Sequence, residues 1–132
     1  MSRETKTALV VDDESSDLEA LAAALGAAGY RVITATDGKT AEESFRAQPD
    51  KIDVLVTDIA MSPISGFELA RRLVNQKPHL GVIFVSGLIG AMAFMYLRPV
   101  PHFGFLRKPF TQGDLVKMVS AKTRNAGLGG DT

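Results

Sequence analysis

Four places in this sequence set a chemically active side chain at or just beyond the end of an apolar run. Asp12 and Asp13 follow Ala8 to Val11, Asp58 follows Ile52 to Thr57, Ser86 follows Leu80 to Val85, and Lys108 lies two residues past Phe103 to Leu106. If the runs are adjacent parallel strands, three carboxylates, a hydroxyl and an ammonium meet at one edge. Carboxylates a few ångströms apart repel one another and raise each other's pKa unless a cation joins them. An oxygen-only cluster with room for water suits Mg²⁺, which takes one or two protein carboxylates together with phosphate oxygens. Taken singly, each residue also has an ordinary role. An acidic pair after a strand caps a helix, an aspartate opens a turn, Ser-Gly starts a loop, and a lysine beside proline is a surface residue. Only their coincidence in space separates the two readings.

The elements that must position these residues follow from hydrophobic spacing. Ala8 to Val11 is continuously apolar, as expected of a central strand covered on both faces. Leu18, Leu21, Ala22, Leu25 and Ala28 recur at helical spacing, with Ser15, Ser16 or Asp17 as the N-cap and Gly29 as the stop. Tyr30 to Ala35, Ile52 to Thr57, Leu80 to Val85 and Phe103 to Leu106 read as further strands. Helices are expected at Asp37 to Gln48, around Phe67, Ala70, Leu73 and Val74, at Leu88 to Leu97, and at Thr111 to Thr123. Five βα units predict an α/β fold, a doubly wound five-stranded parallel sheet in a single domain. With the flavodoxin-like strand order 2-1-3-4-5, the four chemical strand ends are neighbours, at the edge where such sheets bind ligands.

Composition narrows the chemistry. The chain has 132 residues, the size of one domain, and no cysteine, which excludes disulfides, thiolate catalysis and zinc–thiolate or iron–sulfur sites. Neither of its two histidines, His79 and His102, sits at a strand's carboxyl end, and no Gly-x-Ser-x-Gly elbow is present, so a Ser-His-Asp hydrolase is disfavoured. Val11 runs directly into Asp12 without a glycine-rich loop, which removes dinucleotide and P-loop readings. The longest nearly unbroken apolar run, Gly87 to Leu97, is eleven residues, too short for a bilayer span, and the charged N-terminus is no signal peptide. A cytoplasmic location is expected. Fifteen basic and fifteen acidic residues give zero formal charge, no basis for bulk nucleic-acid binding. The balance hides segregation: residues 1–58 carry 12 acids and 6 bases, and residues 59–132 carry 3 acids and 9 bases. An acidic-rimmed partner is therefore expected for the basic half.

Four segments together resemble the receiver domain of two-component response regulators, of the chemotaxis-regulator type. They are Val10-Val11-Asp12-Asp13-Glu14, Thr57-Asp58-Ile59-Ala60-Met61 leading to Gly66, Val85-Ser86-Gly87, and Phe105-Leu106-Arg107-Lys108-Pro109-Phe110. The resemblance covers residues 6–124, with 125–132 as a flexible tail. It implies that Asp58 is the phosphoacceptor, an aspartyl nucleophile. It further implies that Asp13 and Asp58 hold Mg²⁺ directly, that Asp12 does so directly or through water, and that the Ala60 carbonyl is a further ligand. Lys108 and Ser86 would contact phosphoryl oxygens, Ser86 and Phe105 would form a switch pair, and the Lys108–Pro109 bond would be cis. The implied donor is a histidine kinase or a histidine phosphotransfer protein. Activity would be limited to the protein's own phosphorylation and autodephosphorylation, without an enzyme's turnover of a separate substrate.

Three departures from the family pattern bear on detail. Ser62 separates Met61 from Pro63, position 60 is Ala, and Ala91 to Leu97 is apolar on every side and followed by Pro99 and Pro101. An apolar helix on a single small domain leaves one face toward solvent, so residues 88–124 are expected to bind a downstream protein target or a second copy, with no direct nucleic-acid or membrane contact. Two other classes remain: a receiver-like interaction module that is never phosphorylated, and a Mg²⁺-dependent aspartyl phosphohydrolase. The second would need an Asp-x-Asp pair, which neither Asp12-Asp13 nor Asp58-Ile59-Ala60 supplies. The chain is expected to be either a stand-alone regulator or relay shuttle, or a piece of a hybrid kinase or larger regulator.

Overall fold

The structure, a computed structural model, describes residues 5–87 and 103–128. The helix expected over Leu88 to Leu97, the Pro99 and Pro101 segment, and with them the first part of the 88–124 face, lie outside the described residues. Five parallel strands form one sheet in the order β2-β1-β3-β4-β5. They are β1 (Thr7–Val11), β2 (Arg31–Ala35), β3 (Val54–Asp58), β4 (Gly81–Ser86) and β5 (Phe103–Arg107). Among the described residues four α-helices accompany them: α1 (Ser15–Ala27), α2 (Gly38–Ala47), α3 (Gly66–Gln76) and α4 (Gln112–Leu128). None is long and apolar enough to cross a membrane. The sheet order and single-domain architecture are those expected from the alternation of strand-like and helical runs.

The sheet is covered on both faces, which is why its central strands read as unbroken apolar runs. On one face Leu9, Val11, Leu55, Val82 and Phe84 pack against Ala41 and Phe45 of α2 and Leu69, Ala70 and Leu73 of α3. On the other, Ala8, Val10, Val54, Val56, Ile83 and Val85 meet Leu18, Leu21 and Leu25 of α1 and Leu115 and Val119 of α4. Fully burying a Leu, Val or Phe side chain contributes about 1.5–3 kcal/mol. These two layers therefore dominate the exposed Arg72–Glu42 and Arg72–Glu68 ion pairs between and along α2 and α3, whose attraction water largely screens. At the end of the sheet remote from the aspartate cluster, the Asp53 carboxylate accepts from the Thr7 N–H at 2.8 Å. Nearby, Lys77 Nζ donates to the carbonyls of Pro49 and Ile52.

The ends of the helices depart in places from the expected ones. The N-cap of α1 is Glu14, whose carboxylate accepts from the Ser16 N–H and hydroxyl; Ser15, Ser16 and Asp17 all lie within the helix. Asp12 draws the chain back by accepting from the Glu14 N–H, so the turn that starts α1 is set one residue earlier than the usual capping residues suggest. Gly29 does end α1 in a left-handed conformation, φ 98°, a region that disfavours a Cβ. A short 3₁₀ turn at Pro49–Lys51 follows α2. The closing helix continues past Thr123 to Leu128. Its extension takes in Asn125 to Leu128, which the glycine content of the C-terminus placed in a tail.

The loop between β3 and α3 is wound tightly around the end of β3. Both Met61 N–H and Gly66 N–H donate to the Ile59 carbonyl, at 3.0 and 2.9 Å, and the Ser62–Pro63 bond within the loop is cis. Ser65 caps α3 by accepting from the Glu68 N–H. A Cβ on Gly66 would lie 2.0 Å from the Asp58 carbonyl oxygen, so Gly66 makes a backbone-to-backbone contact that only glycine permits. By contrast, a Cβ on Gly26, exposed in α1, meets nothing within 4 Å. In urea denaturation, Gly66→Ala is expected to destabilise the protein by about 1–3 kcal/mol through overpacking. Gly26→Ala is expected to stabilise it by about 0.5–1 kcal/mol. Equal effects of the two substitutions would contradict the close approach at Gly66.

Candidate functional site

The site is built where three strands end side by side. Val11 of β1 is paired with Thr57 of β3, and Asp58 with Val85 of β4, so Asp12, Asp58 and Ser86 emerge at neighbouring strand ends. On β5, Arg107 is paired with Ser86, and the Lys108 N–H donates to the Ser86 carbonyl at 2.8 Å. That hydrogen bond anchors the backbone of Lys108 at the end of β4. The Lys108–Pro109 bond that follows is cis. Alternation along each strand separates the two faces. Leu106 packs with the α1 and α4 layer, whereas Phe105, half-buried, packs with the α2 and α3 layer beside Phe84, its register partner.

Asp12, Asp13 and Asp58 each offer a carboxylate oxygen within 4.8 Å of the others. They differ in exposure: Asp12 is fully buried, Asp58 half-buried and Asp13 exposed. The Lys108 ammonium reaches into this group, 3.2 Å from Asp12 Oδ2 and 3.9 Å from Asp58 Oδ2. Asp12 is further satisfied by the Glu14 N–H at 2.9 Å, and Asp58 Oδ1 accepts from the Ile59 N–H at 2.8 Å. A buried carboxylate without such partners would cost several kcal/mol. Here the cation and two backbone donors offset that cost.

The charges remain imperfectly matched. Burial first, and then the nearby Asp12 charge, push the Asp58 carboxyl above the usual aspartate range, against the pull of Lys108 and of the Ile59 and Ala60 N–H groups. Burial pulls the Lys108 ammonium down, but Asp17, Asp12 and Asp58 together outweigh it and hold the group above the ordinary lysine value. The site therefore favours more positive charge than Lys108 alone supplies. An all-oxygen donor set of this kind fits a hard divalent cation.

Of the residues singled out from the sequence, Asp12, Asp13, Asp58 and Lys108 are brought together directly. Ser86 is buried one residue past the register partner of Asp58, and Phe105 lies two residues earlier along β5 than Arg107, to which Ser86 is paired. Ala60 is exposed in the loop after β3. Asp17, whose position suggests only a helix cap, accepts from Lys108 Nζ at 3.0 Å. The available signal was its place in the first turn of the helix that follows Asp12-Asp13, where side chains lean back toward the N-terminus. Beside this pair a groove of about 570 Å³ opens between α1 and the start of α4, lined by Asp17, Ala20, Ala24, Lys108, Phe110 and Leu115 among others.

Known proteins similar to this chain are numerous. Residues 8–120 match the family model described as the response regulator receiver domain. The chain is 36% identical over 116 residues to the response regulator RR06 of Streptococcus pneumoniae, covering 88% of this chain and 52% of that protein. It is 35% identical over 115 residues to the response regulator receiver protein CpdR of Brucella abortus, covering 86% of this chain and 93% of that one. The chain thus spans about half the length of some curated relatives, RR06 among them, and nearly all of CpdR. Among solved structures, a response regulator receiver domain protein from Clostridium thermocellum superposes with a TM-score of 0.85 at 30% identity, covering 93% of this chain and 98% of that one. Because the sequence match and the structural match each extend over most of the chain, this protein belongs to the response regulator receiver domain family of two-component signalling.

Proposed function

We propose that the chain accepts a phosphoryl group onto Asp58 from the phosphohistidine of a histidine kinase or histidine phosphotransfer protein. The observation that carries this reading is the convergence of three carboxylate oxygens within 4.8 Å with an ammonium beside them, at the edge where the strands end. A half-buried Asp58 oxygen attacks phosphorus, the phosphorus–nitrogen bond to the donor imidazole breaks, and the imidazole leaves with the bonding pair and takes up a proton. Lys108 accompanies the transferring group by pairing with one phosphoryl oxygen, and the Ser86 hydroxyl pairs with another. Asp12, Asp13, Asp58 and the Ala60 carbonyl would hold Mg²⁺. The bound ion supplies charge neutralisation for a reaction that depends mainly on positioning and electrostatics. The groove between α1 and α4 opens directly beside Lys108, which suits it to a donor that must present a histidine there.

The output is a conformational bias in which Ser86 moves toward the phosphoryl group and Phe105 turns inward behind it. A phosphoryl group adds up to about two negative charges. Shifting a two-state equilibrium from 1:99 to 99:1 takes about 5.5 kcal/mol of differential stabilisation, so a target or a second copy bound at residues 88–124 would share in the switching.

Incubation with Mg²⁺ and acetyl phosphate, read by intact mass, is expected to add one transient phosphoryl group to the wild type and none to Asp58→Asn. No adduct on the wild type would favour an interaction module, and sustained turnover of a small phosphate ester would favour a phosphohydrolase. Stability provides two further checks. Binding of Mg²⁺ to the folded form alone stabilises it by RT ln(1 + [L]/Kd), about 1.4 kcal/mol at tenfold excess over Kd. Thermal denaturation is expected to rise accordingly with Mg²⁺ and to return with a chelator, and Asp13→Asn is expected to lose most of the shift.

The third check concerns pH. Because the folded state raises the Asp58 pKa, ionised Asp58 disfavours folding, and that penalty is present above the folded pKa and vanishes below the unfolded one. With chelator present, Asp58→Asn is expected to be more stable than the wild type at neutral pH. The difference should shrink as the pH falls through the carboxylate range. A pH-independent difference in denaturation midpoint would show that ionisation of the buried Asp58 carboxyl is not its source.

A further inference from the structure

The shortest ion-pair contact of the Lys108 ammonium is with none of the three clustered carboxylates. It is with Asp17 of α1, 3.0 Å away, against 3.2 Å to Asp12 Oδ2 and 3.9 Å to Asp58 Oδ2. The last distance is too long for a hydrogen bond. An ammonium has three donors, and Asp17 and Asp12 occupy two of them on the α1 side of the site. The two contacts are unequal in what it costs to break them. Asp12 is fully buried and would be left without its cation, whereas the Asp17 side chain is 47% exposed and can exchange the ammonium for water.

We infer that Asp17 is a positioning residue for Lys108: a competing acceptor that holds the ammonium toward α1 until a phosphoryl group on Asp58 draws it away. The inference rests on the phosphoacceptor reading of Asp58. It adds an acidic position on the first turn of α1 that sets how readily the lysine becomes available. Asp17 also sits in the first turn of a helix, where a carboxylate favours the N-terminus, so loss of the side chain affects helix stability as well. The two roles separate in their readouts. Competition for Lys108 changes the capture of a phosphoryl group, and helix stabilisation changes only the denaturation midpoint.

The test compares wild type, Asp17→Asn, Asp17→Ala and Asp17→Glu in the initial rate of phosphoryl uptake from subsaturating acetyl phosphate with Mg²⁺. A second readout is the Lys108 ζ-ammonium resonance, recorded by NMR in metal-free protein. Removing an exposed competing ion pair is expected to speed uptake roughly two- to fivefold in the Asn and Ala variants. Asp17→Glu, which keeps a carboxylate within reach, should stay near the wild type. The ammonium resonance should shift in the Asn and Ala variants and be restored by Glu. If the wild type forms its adduct on Asp58 but the Asn and Ala variants react at the same rate or more slowly, the role of Asp17 is overturned and that of Asp58 stands. An unmoved ammonium resonance would overturn it equally. A wild type that forms no adduct would overturn both.

Discussion

Mutual repulsion among carboxylates is the constraint that the rest of this structure answers. Asp12, Asp13 and Asp58 present oxygens within 4.8 Å of one another, and one of the three side chains is wholly removed from water. Left alone, such a group would protonate or push the strand ends apart. It is stabilised instead by Lys108, arriving from the last strand, and by the backbone N–H groups of Glu14 and Ile59. Burial, and then the neighbouring Asp12 charge, still hold the Asp58 carboxyl above its ordinary range, and an all-oxygen cluster of this kind fits a hard cation.

Holding charges this close requires a rigid frame, and the two apolar layers provide it. Leu9, Leu55, Phe84 and Ile83 are fully buried in the sheet between helices on both faces, so the strand ends move little relative to one another. The β3–α3 loop adds a second restraint. Its double hydrogen bond to the Ile59 carbonyl and the contact of Gly66 with the Asp58 carbonyl hold the backbone of the proposed phosphoacceptor from behind. Ser62, which stands between Met61 and Pro63, leaves this clamp intact, because the bonds that form it involve Ile59, Met61 and Gly66 and not the residues between.

Much of this was legible from local pattern. Continuous apolar runs at Ala8 to Val11 and Leu80 to Val85 identify strands buried on both faces, and both are fully buried. Gly29 marks the end of α1, and Asp37 caps α2 by accepting from the Thr40 N–H. Misplaced ends have specific causes. Glu14 displaces the serines as the cap because Asp12 turns the chain one residue earlier, and the closing helix runs through Asn125 to Leu128 where glycine content suggested a tail. At the opposite end of the sheet, the hydrogen bond that Asp53 accepts from the Thr7 N–H is not legible in the sequence, because an aspartate before a strand has no distinctive spacing.

Among the described residues, the sequence by itself determined the element order, the sheet topology and the reactive residue types at the strand ends. Periodicity, turn residues and the handedness of βαβ crossovers are properties of short stretches of chain. Only the tertiary structure decided which of these residues touch and how much water each retains. Lys108 and Asp17 stand 91 positions apart, and no local pattern relates them. The same holds for the difference between buried Asp12 and exposed Asp13, adjacent residues of one type, since burial depends on what the sheet and α1 bring to each side. Charge coupling falls off over a few ångströms, so the electrostatic character of the site is fixed by distances that exist only once the strands are side by side.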